Sequence, residues 1–220
     1  PASPAVVQPE LEALIQLWGG TEKNASAVIG QEKNLVNLGK DVATIDAKNP
    51  LLLDLSEQVA ALKLQTASSA REIAAASQLV MLTQRIAKNA SAMLVGDVIS
   101  PEVAFLLGKD TNAFRDILTG LQKGSESLRL NPASDAETKE KLAALETAFK
   151  DYQGAVGNIL GNMQPLVLSK QAGSRIFRES DDLLKATDAL AAGYQRDLST
   201  RGMYIAALIV LVLVALLSLA

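Results

Sequence analysis

Apolar positions along this chain recur at alternating intervals of three and four, the pattern of helices packed along a narrow seam. Leu11, Leu14, Trp18, Ala25 and Val28 form the first stripe. Leu35, Leu38, Val42 and Ile45 form the next, and Leu52, Leu55, Val59 and Leu62 continue it. A later stripe runs through Leu142, Leu145, Phe149, Tyr152, Val156, Ile159 and Met163. Breaks fall where helix chemistry changes. Gly30 predicts a corner. Gly96-Asp97 ends a helix, and Ser100-Pro101-Glu102 starts another, with Ser100 as N-cap and Pro101 in the first position. Residues 130–134 read as a loop in which Ser134 and Glu137 have capping-box spacing. Residues 161–165 read as a third loop, after which one helix can run from Leu166 through Gly193. Pro50 removes a helical hydrogen bond and predicts a bend or short break. Ile45 and Leu52 stay one heptad apart across it, so both pieces should run the same way.

The stretch from Met203 to Ala220 carries no charge and has Tyr204 near its start. It predicts a transmembrane helix, cut short at the C-terminus. The opening Pro1-Ala2-Ser3-Pro4 has no initiator Met, so the natural protein is expected to continue upstream as well. A faint internal repeat relates Leu11-Glu12…Trp18-Gly19-Gly20 to Leu145-Glu146…Tyr152-Gln153-Gly154. It predicts one complete helical unit after the back half of another. The complete unit would use helices near 69–96, 101–124, 134–162 and 165–201, and short connections make neighbours antiparallel. The expected fold is therefore all-α. An elongated antiparallel four-helix bundle (67–202) is preceded by half of a second unit with a connecting helix (1–66). A truncated transmembrane helix (203–220) follows.

Composition narrows the function. The 220 residues carry a net charge of −3, with no Cys and no His. Thiolate and imidazole metal sites, and Cys or His nucleophiles, are excluded. No basic face announces nucleic-acid binding. There is no phosphate-cradling Gly loop, no carboxylate pair placed for acid–base work and no ordered acidic cluster, so neither an enzyme nor a cofactor is expected. Glu137, Glu140 and Glu146 interleave with Lys139 and Lys141 as solvated ion pairs on a helix face.

The segment Leu79-Val80-Met81-Leu82-Thr83-Gln84-Arg85-Ile86-Ala87-Lys88-Asn89 is the most distinctive. On a helix, Leu79, Leu82, Ile86, Asn89 and Met93 share one seam, with Arg85 flanking it. A guanidinium there can pair across an interface, hold an anion, or form an interhelical salt bridge. An Asn at a seam position commonly sets register or oligomer state. Trp18, beside Gly19-Gly20, suits core packing or partner binding.

This segment resembles the Leu-x-x-Leu-Ser/Thr-Gln-Arg-Ile-Ala-Lys-Asn run of type IV pilus methyl-accepting chemoreceptors, the PilJ family. Nitrate-sensor histidine kinases carry a related Ser-Gln-Arg run. Trp18-Gly19-Gly20, Val95-Gly96-Asp97 and Leu118-x-Gly120-Leu121-Gln122-x-Gly124 are similar to the PilJ family too, so the resemblance covers nearly the whole chain. It implies the periplasmic sensory region of an inner-membrane chemotaxis receptor acting in twitching and surface sensing, with residues 1–202 in the periplasm. By the same resemblance Arg85 is the leading ligand contact, with Thr83, Gln84 and Lys88 beside it. Leu82, Ile86 and Asn89 would set dimer register, and Trp18 a partner contact. Implied partners are a second copy, a pilin subunit and the membrane, with output through CheW-like adaptors to a CheA-like kinase. The alternatives are a nitrate-sensor-type kinase and a non-sensory membrane-anchored scaffold.

Overall fold

The computed structural model describes residues 3–66 and 68–218, with side chains described as far as residue 212. After a short 3-10 turn at Ala5–Val7 come α1 (Gln8–Ile29), α2 (Glu32–Gln65), α3 (Ala70–Val95), α4 (Pro101–Lys123), α5 (Ala136–Gly161) and α6 (Met163–Ser218). Apart from an isolated antiparallel bridge between Ser125 and Leu130, the described residues pair no β-structure. Contacts divide the chain into two units. One is Val28–Gln171; the other joins Pro1–Ala27 with Ala172–Ala220.

In the 28–171 unit, α2 packs on α3 and α5, and α4 packs on α3 and α5, which closes a four-helix bundle. Side-chain bonds fix the directions. Asp41 meets Asn158 and Lys48 meets Asp151, so α2 and α5 are antiparallel. Gln122 bonds Glu146, while Gly108 faces Leu160, so α4 and α5 are antiparallel too. The core follows the heptad stripes. Leu38, Val42, Ile45, Leu52, Leu55 and Val59 of α2 are buried. So are Leu142, Leu145, Phe149, Tyr152, Val156 and Ile159 of α5. Phe114 of α4 stacks on Phe149 with ring centroids 4.4 Å apart.

The bundle differs from the sequence expectation in its fourth helix. That place belongs to α2 and not to the 165–201 segment. The reason is the unbroken apolar face of α2. Pro50 lies within a continuous helix on an exposed position, and Asp46, whose carbonyl loses its helical donor, is exposed as well. No restart is needed, and Leu38 to Leu62 present one long seam. The first turns of α6 still serve this unit, with Leu166 and Ser169 buried. Lys170 Nζ donates to the Leu94 carbonyl at 2.6 Å and the Gly96 carbonyl at 2.5 Å, satisfying acceptors that the end of α3 leaves open. Burial lowers the Lys170 pKa against the opposing pull of Asp97.

Most local signals hold, with two shifts. The expected loop at 161–165 narrows to Asn162, because α6 already begins at Met163. α1 ends at Ile29 and α2 begins at Glu32, so a helix boundary falls at Gly30, and α4 starts with Ser100 as N-cap and Pro101 first. Before α5 the cap is Asp135, not Ser134. Its Oδ1 accepts the Thr138 N–H at 2.7 Å, and that bond holds the carboxyl below its usual range. A complete capping box sits instead at Ser69–Glu72.

The second unit pairs α1 with the later part of α6. Val7 is fully buried there, Tyr194 Oη donates to Ser3 Oγ at 2.9 Å, and Arg196 approaches Glu10 at 3.8 Å. No residue of α1 is fully buried.

The expected transmembrane helix over 203–220 is corrected. No helix among the described residues is long and apolar enough to cross a membrane. Upstream of Met203 the helix carries Arg196, Asp197 and Arg201, the last two bonded at 2.8 Å. The side chains of the expected span are described over 203–212. The remainder of the expected span, 213–220, lies outside the residues whose side chains are described.

Candidate functional site

The distinctive segment occupies the middle of α3, and its heptad phase decides which side chains turn inward. Leu79, Leu82, Ile86 and Met93 are buried in the bundle core. Leu82 and Ile86 thus pack within one chain. Asn89 is only half-buried, and Ala90 takes the core position. Helix geometry accounts for this: relative to Ile86, residue 89 lies about 60° off the inward direction and residue 90 about 40°. The alanine is also the cheaper of the two to bury.

Thr83 is fully buried. Its hydroxyl donates to the Leu79 carbonyl at 2.9 Å, and its own carbonyl accepts from Tyr152 Oη at 3.4 Å. The same phenol reaches Asn49 Oδ1 at 3.4 Å. Burial, reinforced by the Asp46 charge, pushes the Tyr152 pKa far up, so the phenol stays neutral and acts as a donor. Gln84 and Lys88 point outward and are exposed.

Arg85 is half-exposed and spans to α4. Its Nη2 lies 3.0 Å from Asp110 Oδ1, and the Asp110 side chain is only 3% exposed. The second carboxylate oxygen, Oδ2, has no hydrogen-bond partner in the structure. A buried carboxylate with one partner depends heavily on that partner. The sequence reading did not single out Asp110. The signal was present, because Asp110 stands three residues after Leu107 and four before Phe114, on the seam where an apolar residue belongs.

Trp18 lies apart from this site. In the other unit it is 55% exposed and lines a shallow cleft with Leu14, Ile15, Leu183 and Thr187. The structure therefore brings Arg85 and Thr83 into one helix segment beside the core, leaves Gln84 and Lys88 on the surface, and does not bring Trp18 to them. Among the described residues no group of three or more acidic side chains is placed to hold a metal ion.

The family model described as PilJ, type IV pili methyl-accepting chemotaxis transducer N-term, matches residues 64–174, just over half of the chain. The chain belongs to the PilJ family. The matched span takes in α3, α4, α5 and the start of α6, and with them both Arg85 and Asp110. The chain is also similar to Protein PilJ of Pseudomonas aeruginosa, 28% identical over 195 residues, which cover 89% of this chain and 29% of that relative. The match thus spans under a third of the relative's length. As a PilJ-family region the chain is a chemotaxis-type transducer segment and not an enzyme.

Proposed function

We propose that this chain is the sensory region of a chemotaxis receptor acting with type IV pili, held on the periplasmic side of the bacterial inner membrane. Membership in a family of transducer N-terminal regions supports the class. The observation that carries the mechanism is the Arg85–Asp110 pair. A stimulus that draws the half-exposed guanidinium outward leaves a buried carboxylate without its only partner. The α3–α4 packing must then change, and a bundle with two discrete packings converts a local contact into a shift of population. A small anion competes directly for Arg85; a pilin subunit competes through a carboxylate or carbonyl on its surface. A second copy of the chain would transmit the change, with output passing through CheW-like adaptors to a CheA-like kinase elsewhere in the receptor. The ligand contacts in this reading are Arg85 first, then Lys88 and Gln84 on the exposed flank. Thr83 acts through the core, since its hydroxyl is already bonded within α3.

The test is titration of the 220-residue chain with nitrate and, separately, with soluble pilin subunit, alongside Arg85→Ala. The expected result is saturable binding by one of the two that Arg85→Ala removes while circular dichroism keeps its helical signal. Equal binding by both proteins, or by neither, removes Arg85 from the mechanism.

A further inference from the structure

A second feature stands away from Arg85, beside the first turns of α3. A cleft of about 640 Å³ opens between α3, the end of α4 and the 124–131 hairpin. That volume lies within the ~300–1,000 Å³ range of small-molecule sites. Ala74, Ala75, Ala113 and Ile117 form its floor, and Leu128 and Leu130 form a wall. Where two helices face each other through alanines, space is left that larger side chains would have filled.

The hairpin wall is fixed in advance. Ser125 and Leu130 exchange two backbone hydrogen bonds, at 2.8 and 2.9 Å. Gly124 turns the chain at a φ of 87°, a conformation open to glycine at little cost. At Gly120 a Cβ would come within 2.9 Å of the Leu130 side chain, so the absence of one lets the wall close on α4. A preformed wall spares a ligand the cost of ordering it.

The polar groups at the cleft are unequal. Arg71 Nε donates to the Leu128 carbonyl at 2.8 Å, which sets the guanidinium plane at the cleft edge. Arg71 forms no salt bridge among the described residues, so its terminal nitrogens keep their charge available. Asp116 also lines the cleft, but Arg115 offsets it at 3.3 Å. Glu72, next to Arg71 in sequence, is occupied by the Ser69 and Asn131 amides. An uncompensated cation therefore borders an apolar floor.

The geometry points to a binding site for a small amphipathic monocarboxylate, its carboxylate on Arg71 and its apolar body over the alanine floor. The proposal deepens the sensory reading by naming a stimulus class. It rests on that reading only for its purpose, since binding to the cleft does not involve Arg85.

Calorimetric titration of the 220-residue chain with octanoate, below its micelle-forming concentration, tests the site; octylammonium is the matched cation. Octanoate should bind saturably at one site. Arg71→Gln should weaken it about tenfold or more, the worth of a charge-assisted hydrogen bond. Ala74→Trp should abolish it by filling the space. Both positions are exposed, so the fold should survive, and if one variant fails to fold the other still reads the site. Arg85→Ala should bind octanoate as the parent does. Equal binding of octylammonium, octanoate binding unmoved by the folded variants, or no saturable binding overturns the proposal. None of these results bears on nitrate or pilin binding at Arg85, so failure here and failure of the sensory mechanism are distinguishable.

Discussion

The Glu72 carboxylate at the start of α3 accepts the backbone N–H of Asn131, in the loop before α5, at 3.3 Å. Its other oxygen accepts the Ser69 N–H at 3.1 Å, so one side chain closes a helix cap and anchors a distant loop. Burial alone would raise its pKa, but the Ser69 and Asn131 hydrogen bonds, with the Lys63 charge, hold it below the ordinary value of 4.5. A carboxyl lowered on folding stabilises the fold above its unfolded pKa, and that contribution is lost as pH falls through the folded value. Glu72→Gln should cost about 1 kcal/mol near neutral pH, a drop of roughly 2–4 °C in melting temperature. It should also flatten the acid limb below about pH 4.5. Chemical denaturation of both proteins at neutral pH and near pH 3 checks this; parallel acid limbs would contradict it.

The Arg85–Asp110 pair predicts a specific non-additivity. Arg85→Ala strands a buried carboxylate and should destabilise by about 1–3 kcal/mol, below the full cost of breaking a buried pair because Arg85 is half-exposed. Adding Asp110→Leu to that variant should restore stability, since the stranded charge is gone and the seam regains an apolar residue. If the double variant proves less stable than Arg85→Ala alone in urea denaturation, Asp110 is not the liability described.

Two phenylalanines of α4 should behave differently. Phe114 is fully buried against Phe149, whereas Phe105 is 66% exposed. Phe114→Ala should cost about 3–5 kcal/mol through lost burial and a residual cavity. Phe105→Ala should fall within about 0.5 kcal/mol of the parent. Comparable losses at the two positions would mean that the exposed face of α4 is covered in solution.

Two glycines in α6 give a matched test of space against propensity. Gly202 has nothing within 4 Å of an added Cβ, whereas at Gly193 the Cβ would sit 3.1 Å from Val7 Cγ1. Gly202→Ala should stabilise its helix by about 0.5–1 kcal/mol. Gly193→Ala should lose most or all of that gain, because Val7 is buried and its branched side chain has few rotamers to escape into. Helix melting followed by circular dichroism separates them, and a higher melting temperature for Gly193→Ala would refute the close contact.

The sequence by itself determined the helices, the seams of α2 and α5 and most helix ends, because heptad spacing and cap chemistry act over a few residues. It also carried the PilJ-family segment and located Arg85 beside a seam. It did not reveal which helices share a bundle, since any apolar stripe can face any other. α2 won the fourth place because its stripe stays in phase across Pro50 and a short turn returns it beside α3. Nor did spacing show that Arg85 closes on Asp110, that Ala90 displaces Asn89 from the core, or that Glu72 holds a loop far along the chain. The reading of 203–220 as a membrane helix rested on hydropathy, and no helix among the described residues meets the length and apolarity that crossing requires. Local periodicity is written in neighbouring residues, whereas partner choice and the compensation of buried charge are properties of surfaces that meet only after the chain has folded.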